Sequence, residues 1–157
     1  MKIGILVFSE TGNTLSVAER LLEKYKADGH EAVIDRITVK GVARAGAPAP
    51  LDNRPDPSGF DAVVFAAPVQ AFSLAQAMKA YLGQVESLSG KPVALFTTQH
   101  LKRPWLGGNH AIRQMSAACT AKGGKLCGTG IVNWSRPDRE DLIAKVVDDL
   151  GKAFARE

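Results

Sequence analysis

The sequence predicts an α/β fold of three layers: a doubly wound, five-stranded parallel sheet in the order 2-1-3-4-5, with helices on both faces. Three observations predict it. Five short, nearly continuous apolar runs read as strands buried on both faces. Helical periodicities fall between most of them, which gives parallel neighbours the crossovers they need. The chain has 157 residues, of which 45% are hydrophobic and 23% charged, and this suits a single domain over 1–157 with one substantial core. Right-handed crossovers then limit the strand order.

The first strand is Lys2–Phe8 (KIGILVF). A polar loop, Ser9–Asn13, leads to a helix from Thr14 with apolar residues at Leu15, Ala18, Leu21, Leu22 and Tyr25, closed by Asp28-Gly29. Glu31–Ile37 is the second strand. Residues 41–58 hold Pro48, Pro50, Pro55 and Pro57 among several Gly and Ala, which predicts a long loop with one short helical turn. It is not a domain boundary, because neither flank is long enough to be a separate doubly wound domain. Asp61–Ala67 is the third strand, ended by Pro68. Leu74–Leu82 is a short helix, and Pro92–Thr97 the fourth strand. A loop from Thr98 to Gly107 enters a helix over about Gly108–Lys122, stopped by Gly123-Gly124. Lys125–Val132 is the fifth strand, with Cys127 expected to be buried in it. Asp138–Phe154 is the last helix, with Pro137 suiting its start and Asp138, Glu140 and Asp141 the positive end of its dipole.

Composition excludes several classes. Disorder, a fibrous repeat and a disulfide scaffold all disagree with it. The apolar run Ile3–Phe8 is too short to span a bilayer and makes a poor signal peptide, so a cytoplasmic protein without membrane insertion is expected. Cys119 and Cys127, with His30, His100 and His110, show no metal-ligand spacing, and no catalytic constellation is legible. The net charge is +4, but it is unevenly spread. Residues 87–137 carry seven basic side chains (Lys91, Lys102, Arg103, Arg113, Lys122, Lys125, Arg136) and no Asp or Glu. A mild basic excess permits nucleic acid as a partner, yet no RNA- or DNA-binding motif supports one.

The chemistry is expected in Ser9-Glu10-Thr11-Gly12-Asn13-Thr14, between the first strand and the first helix. A helix start offers unpaired backbone N–H groups and the positive end of the macrodipole. Three hydroxyls add donors without charge, and Gly12 lets the backbone approach an anion or take a positive φ. Ser, Thr and Asn are also ordinary N-cap residues, but three hydroxyls around a glycine after the first strand favour a phosphate. Neither a G-x-x-x-x-G-K-[ST] nor a G-x-G-x-x-G loop occurs here, which disfavours P-loop and dinucleotide sites. A receiver domain would need an acidic cluster after the first strand and an aspartate ending the third.

In this segment the chain resembles the flavodoxin family: Phe8–Thr14 (FSETGNT) matches that family's [ST]-x-T-G-x-T pattern. The resemblance extends over nearly the whole chain in length, element order and loop position. It implies a flavodoxin-like fold with FMN as cofactor, its phosphate wrapped by Ser9, Glu10, Thr11, Gly12, Asn13 and Thr14. Glu10 would contribute its backbone N–H, because a carboxylate should point away from a phosphate. Two further loops would then hold the isoalloxazine ring. One is Pro68, Val69, Gln70, Ala71 and Phe72; the other is Thr98, Gln99 and His100, continuing through Trp105 to Gly107. Phe72 and Trp105 are the expected stacking rings, Gln70 and Gln99 the expected hydrogen-bond partners. The sequence departs from electron-carrier flavodoxins in having no acid in the second ring loop and a basic rather than an acidic balance. The implied function is electron transfer between redox partners, with a partner that presents an acidic docking surface. An FMN-dependent NAD(P)H or quinone-type reductase or oxidase acting on an anionic substrate is the alternative.

Overall fold

In the continuous apolar runs, alternate side chains go to opposite faces of one sheet, and this builds two cores rather than one. The computed structural model describes residues 1–41, 50–100 and 107–155. The strands are β1 (Lys2–Val7), β2 (Glu31–Arg36), β3 (Ala62–Gln70), a two-residue β4 (Ser73–Leu74), β5 (Pro92–Gln99) and β6 (Lys125–Asn133). The helices are α1 (Asn13–Ala27), α2 (Gln76–Gln84), α3 (Gly108–Ala121) and α4 (Arg139–Lys152). The parallel sheet runs β2-β1-β3-β5-β6, which is the expected 2-1-3-4-5 order, and β4 pairs antiparallel with β3 outside that path.

On one face Ile3, Ile5, Val7, Val64, Ala66 and Phe96 meet Val17, Leu21 and Tyr25 of α1 and Ile143 and Leu150 of α4. On the other, Leu6, Val63, Phe65, Val93 and Leu95 meet Met78, Tyr81 and Leu82 of α2 and Met115 and Cys119 of α3. Gly4 is needed where it stands: a Cβ there would lie 2.6 Å from the Phe60 ring, which lies against β1. A helical turn at Pro57–Gly59 precedes β3, as expected near the end of the proline-rich loop, while residues 42–49 of that loop lie outside the described residues.

Two strand ends and the burial of one strand residue differ from the expectation, all for reasons of neighbours. β3 does not stop at Pro68. β1 pairs with it only as far as Val7↔Ala66, so no β1 residue needs an N–H from Pro68, whose carbonyl accepts from Ala75 N while β4 pairs with Val69 and Gln70. β5 continues through Thr98 and Gln99, expected in a loop, because both pair with the end of β6 at Val132 and Asn133. Cys127 is exposed rather than buried. It sits on an edge strand whose first residues, Lys125 to Cys127, are all exposed, and α4 covers β6 only from Gly128 onward. The result at the carboxyl end is a step: β1 ends early, and β3 and β5 run past it.

Candidate functional site

The step is walled by three segments. The first is the loop from β1 into α1. Gly12 takes φ +92° at the helix start, in the left-handed region that favours glycine. Ser9 Oγ, buried under the loop, accepts from the N–H groups of Gly12 and Leu15, each at 3.2 Å. The serine therefore acts as an internal cap and holds the loop's curvature. The Thr14 hydroxyl, also buried, meets the Thr98 hydroxyl of β5 at 2.8 Å, tying the helix start to the far wall. Two hydroxyls sharing one bond leave one O–H proton over. Arg36 Nη2 donates to the Ser9 carbonyl at 3.3 Å.

After these bonds are assigned, the N–H groups of Glu10, Thr11, Asn13 and Thr14 have no acceptor among the described residues. Four open N–H groups beside the positive end of a helix, with Thr11 exposed and the spare proton of the threonine pair close by, could hold a phosphate without any basic side chain.

The second segment is a hairpin that the sequence conceals. Val69↔Leu74 and Gln70↔Ser73 pair across a two-residue turn, Ala71-Phe72, with φ +50° and +61°. Positive φ at both turn positions is the I′ type, which normally takes Asn-Gly. Here it holds an alanine and a phenylalanine, and Phe72 stands 63% exposed at the tip. The ring is not packed under a helix. The strained turn is held from α3: the Gln114 side-chain oxygen accepts from Leu74 N at 2.8 Å and from Ser73 Oγ at 3.0 Å. Lys79 Nζ adds a bond to Ser73 Oγ at 2.9 Å. Gln70, at the foot of the turn, donates from its side-chain amide to Glu10 Oε2 at 2.7 Å, so this amide crosses to the first loop.

The third segment follows β5. Thr98 and Gln99 are buried strand residues, and His100 is exposed, its carbonyl accepting from the Ser135 hydroxyl. Trp105, with Lys102 and Arg103, lies outside the described residues. Gly107, with φ +118°, touches the hairpin so closely that a Cβ would lie 2.6 Å from Val69 Cγ1 and 2.9 Å from Phe72 Cα. The structure thus brings together Ser9 to Thr14, Pro68 to Phe72, Thr98 to His100 and Gly107. Sequence reasoning missed Gln114, Ser73 and Lys79, which hold the hairpin. No local pattern marks them, since Gln114 acts on residues 40 positions away.

A family model described as a flavodoxin domain matches residues 4–104. The chain belongs to the flavodoxin family. FMN is the cofactor of that family. No curated protein matches the chain. Among solved structures it is similar to a cysteine-to-serine mutant of flavodoxin from Pseudomonas aeruginosa, at 15% identity and TM-score 0.71, covering 99% of this chain and 100% of that one. It is also similar to the two-electron reduced flavodoxin of Megasphaera elsdenii, at 20% identity and TM-score 0.69, over 96% of this chain and 98% of that one. The azoreductase AzrA is similar too, at 14% identity and TM-score 0.69, over 97% of this chain and 98% of that one. The site suits FMN at both ends: open N–H groups for a phosphate, and an exposed aromatic ring on a fixed turn for a flat heterocycle.

Proposed function

We propose that this member of the flavodoxin family binds one FMN and carries electrons between redox partner proteins. The observation that supports the reading best is the set of four N–H groups in the loop after β1 that have no acceptor among the described residues, beside the end of β3. In this reading Glu10, Thr11, Asn13 and Thr14 hold the phosphate through backbone N–H and hydroxyl groups, with Gly12 setting the curvature and Ser9 capping from below. Phe72 faces the ring. Pro68, Val69, Gln70, Ala71, Thr98, Gln99, His100 and Gly107 supply the backbone and walls around it. FMN, when bound, supplies the capacity to take up and release electrons. The protein binds it, orients it and keeps water from its buried side. Lys102 and Arg103, in the segment that leaves the carboxyl end of β5, would favour a partner with an acidic docking surface.

The test is direct. Apo-protein titrated with FMN should quench flavin fluorescence at one equivalent, and Thr11→Ala should weaken binding by about 1–3 kcal/mol if its hydroxyl meets the anion. Protein that is colourless as purified and takes up no added FMN sinks the proposal. A second reading, an FMN-dependent reductase, draws on the likeness to azoreductase AzrA. Steady turnover of NAD(P)H with a quinone or an azo dye would establish it over the carrier. Transfer of electrons to a protein acceptor without such turnover would establish the carrier.

A further inference from the structure

Glu10 sits inside the loop whose N–H groups would hold the phosphate, and its side chain is a carboxylate. That creates a problem within the site. A carboxylate is the one kind of side chain that can itself fill an anion-binding cradle, and near a bound phosphate it repels it. Two like charges in contact repel even at the intermediate dielectric of a protein surface. The carboxylate therefore has to be held elsewhere.

The structure supplies the holder. Gln70 Nε2 donates to Glu10 Oε2 at 2.7 Å, within the range of a charge-assisted bond. Glu10 is exposed and makes no ion pair among the described residues, so none of the described cations holds it. Arg36, the basic side chain nearest in the loop's own bonding, is turned to the Ser9 carbonyl. Gln70 is a firm anchor. Its backbone pairs with Ser73, and Ser73 and Leu74 are in turn bonded to Gln114 of α3. A chain of contacts thus runs from α3 through the hairpin to the Glu10 carboxylate.

We infer that Gln70 is a positioning residue that draws the Glu10 carboxylate across to the hairpin and out of the phosphate cradle, and thereby sets the affinity for the phosphate of FMN. The inference rests on the FMN reading above. It assigns the Gln70 amide to Glu10 rather than to the flavin ring. A neutral amide suits this role, because it fixes the carboxylate without placing a second charge at the rim.

The experiment measures dissociation constants of apo-protein for FMN and for riboflavin, which has the ring but no phosphate. Gln70→Ala should weaken FMN binding roughly tenfold or more, because the freed carboxylate competes for the cradle. Riboflavin binding should change by less than about twofold. The double variant Glu10→Gln/Gln70→Ala, which has no carboxylate to hold, should regain most of the FMN affinity. This rescue decides the matter even where riboflavin binds too weakly to measure. Unchanged FMN affinity in Gln70→Ala overturns the inference. Equal weakening for FMN and riboflavin overturns it too, and so does failure of the double variant to recover. Wild-type protein that binds neither flavin overturns the FMN reading and this inference together, so the two failures are told apart by the wild type alone.

Discussion

Phe72→Asn should move two measurements in opposite directions: the stability of the apo-protein up, the affinity for FMN down. The backbone at Phe72 is left-handed, with φ +61°, a conformation that costs an ordinary L-residue roughly 1–2 kcal/mol. Asparagine tolerates it far better. Against this stands the burial lost with the ring. Fully burying a phenylalanine is worth about 1.5–3 kcal/mol, and Phe72 is 63% exposed, so only about a third of that value, roughly 0.5–1 kcal/mol, is at stake. The balance is a gain of about 0.5–1 kcal/mol. For a chain of this size that raises Tm by roughly 1–4 °C.

The flavin measurement goes the other way. If Phe72 stacks on the isoalloxazine, removing it costs about 1–3 kcal/mol, by analogy with aromatic side chains stacked on nucleobases. That is roughly a five- to 150-fold weaker dissociation constant. Thermal unfolding of the apo-protein and titration with FMN read the two effects separately. The opposite signs distinguish strain kept for a ligand from ordinary packing. A variant whose apo-protein melts several degrees lower would show that the ring packs against the protein. Unchanged FMN affinity would show that it does not face the flavin.

Thr14→Val should cost about 1–3 kcal/mol of apo-protein stability, read from urea unfolding, because it leaves the buried Thr98 hydroxyl without its 2.8 Å partner. Thr14→Val/Thr98→Val should recover most of the loss, and a double variant as unstable as the two singles summed would contradict the pairing. A thiol reagent at mildly alkaline pH should modify Cys127 alone in the native protein, since Cys119 is buried and desolvation pushes its thiol up to about 12. Reaction of both before unfolding counts against this. The same shift makes folding pH-sensitive. The thiol stays neutral in the folded state while the unfolded one ionises from its ordinary value of 9.0. The unfolded state then binds fewer protons, so stability should fall as pH rises from about 9 towards 12. Lys122→Gln/Lys125→Gln should leave the salt dependence of electron transfer to an acidic partner unchanged, whereas Lys102→Gln/Arg103→Gln should flatten it.

The fold was legible because its strands are buried on both faces and therefore apolar without interruption, and because Gly29 and Gly123-Gly124 punctuate the helices. The loop after β1 was legible because its chemistry is local: six consecutive residues carry the glycine, the hydroxyls and the helix start. The features that escaped depend on contacts distant in sequence. Pro68 looks like a terminator until β1 is seen to end opposite Ala66. Thr98 and Gln99 look like loop residues because they are polar, yet β6 reaches far enough to pair with both. The β3–β4 hairpin could not be read at all, because Ala71-Phe72 lacks every residue that announces an I′ turn. Its strain is opposed by Gln114, on a helix that the chain reaches only 40 residues later.

Charge shows the same limit in a form that bears on function. In a parallel sheet every strand starts at one end of the molecule, so a basic stretch of sequence is divided between the two ends. Lys91 precedes β5 and donates to the Phe60 carbonyl, Lys122 follows α3, and Lys125 opens β6; all three lie at the amino ends of the strands, away from the loop after β1. At the carboxyl end, four charges beside the site are engaged by their neighbours. Glu10 is held by Gln70, Arg36 by the Ser9 carbonyl, Arg136 by Asp138 and Arg139 by the Trp134 ring and carbonyl. In the proposed reading, the attraction for a phosphate there comes from backbone dipoles and the α1 macrodipole rather than from the cations held in these bonds. Such a field acts at short range on an anion already in contact. Binding of FMN should accordingly respond weakly to salt, while docking of a partner, which works through exposed charges over a longer distance, should respond strongly.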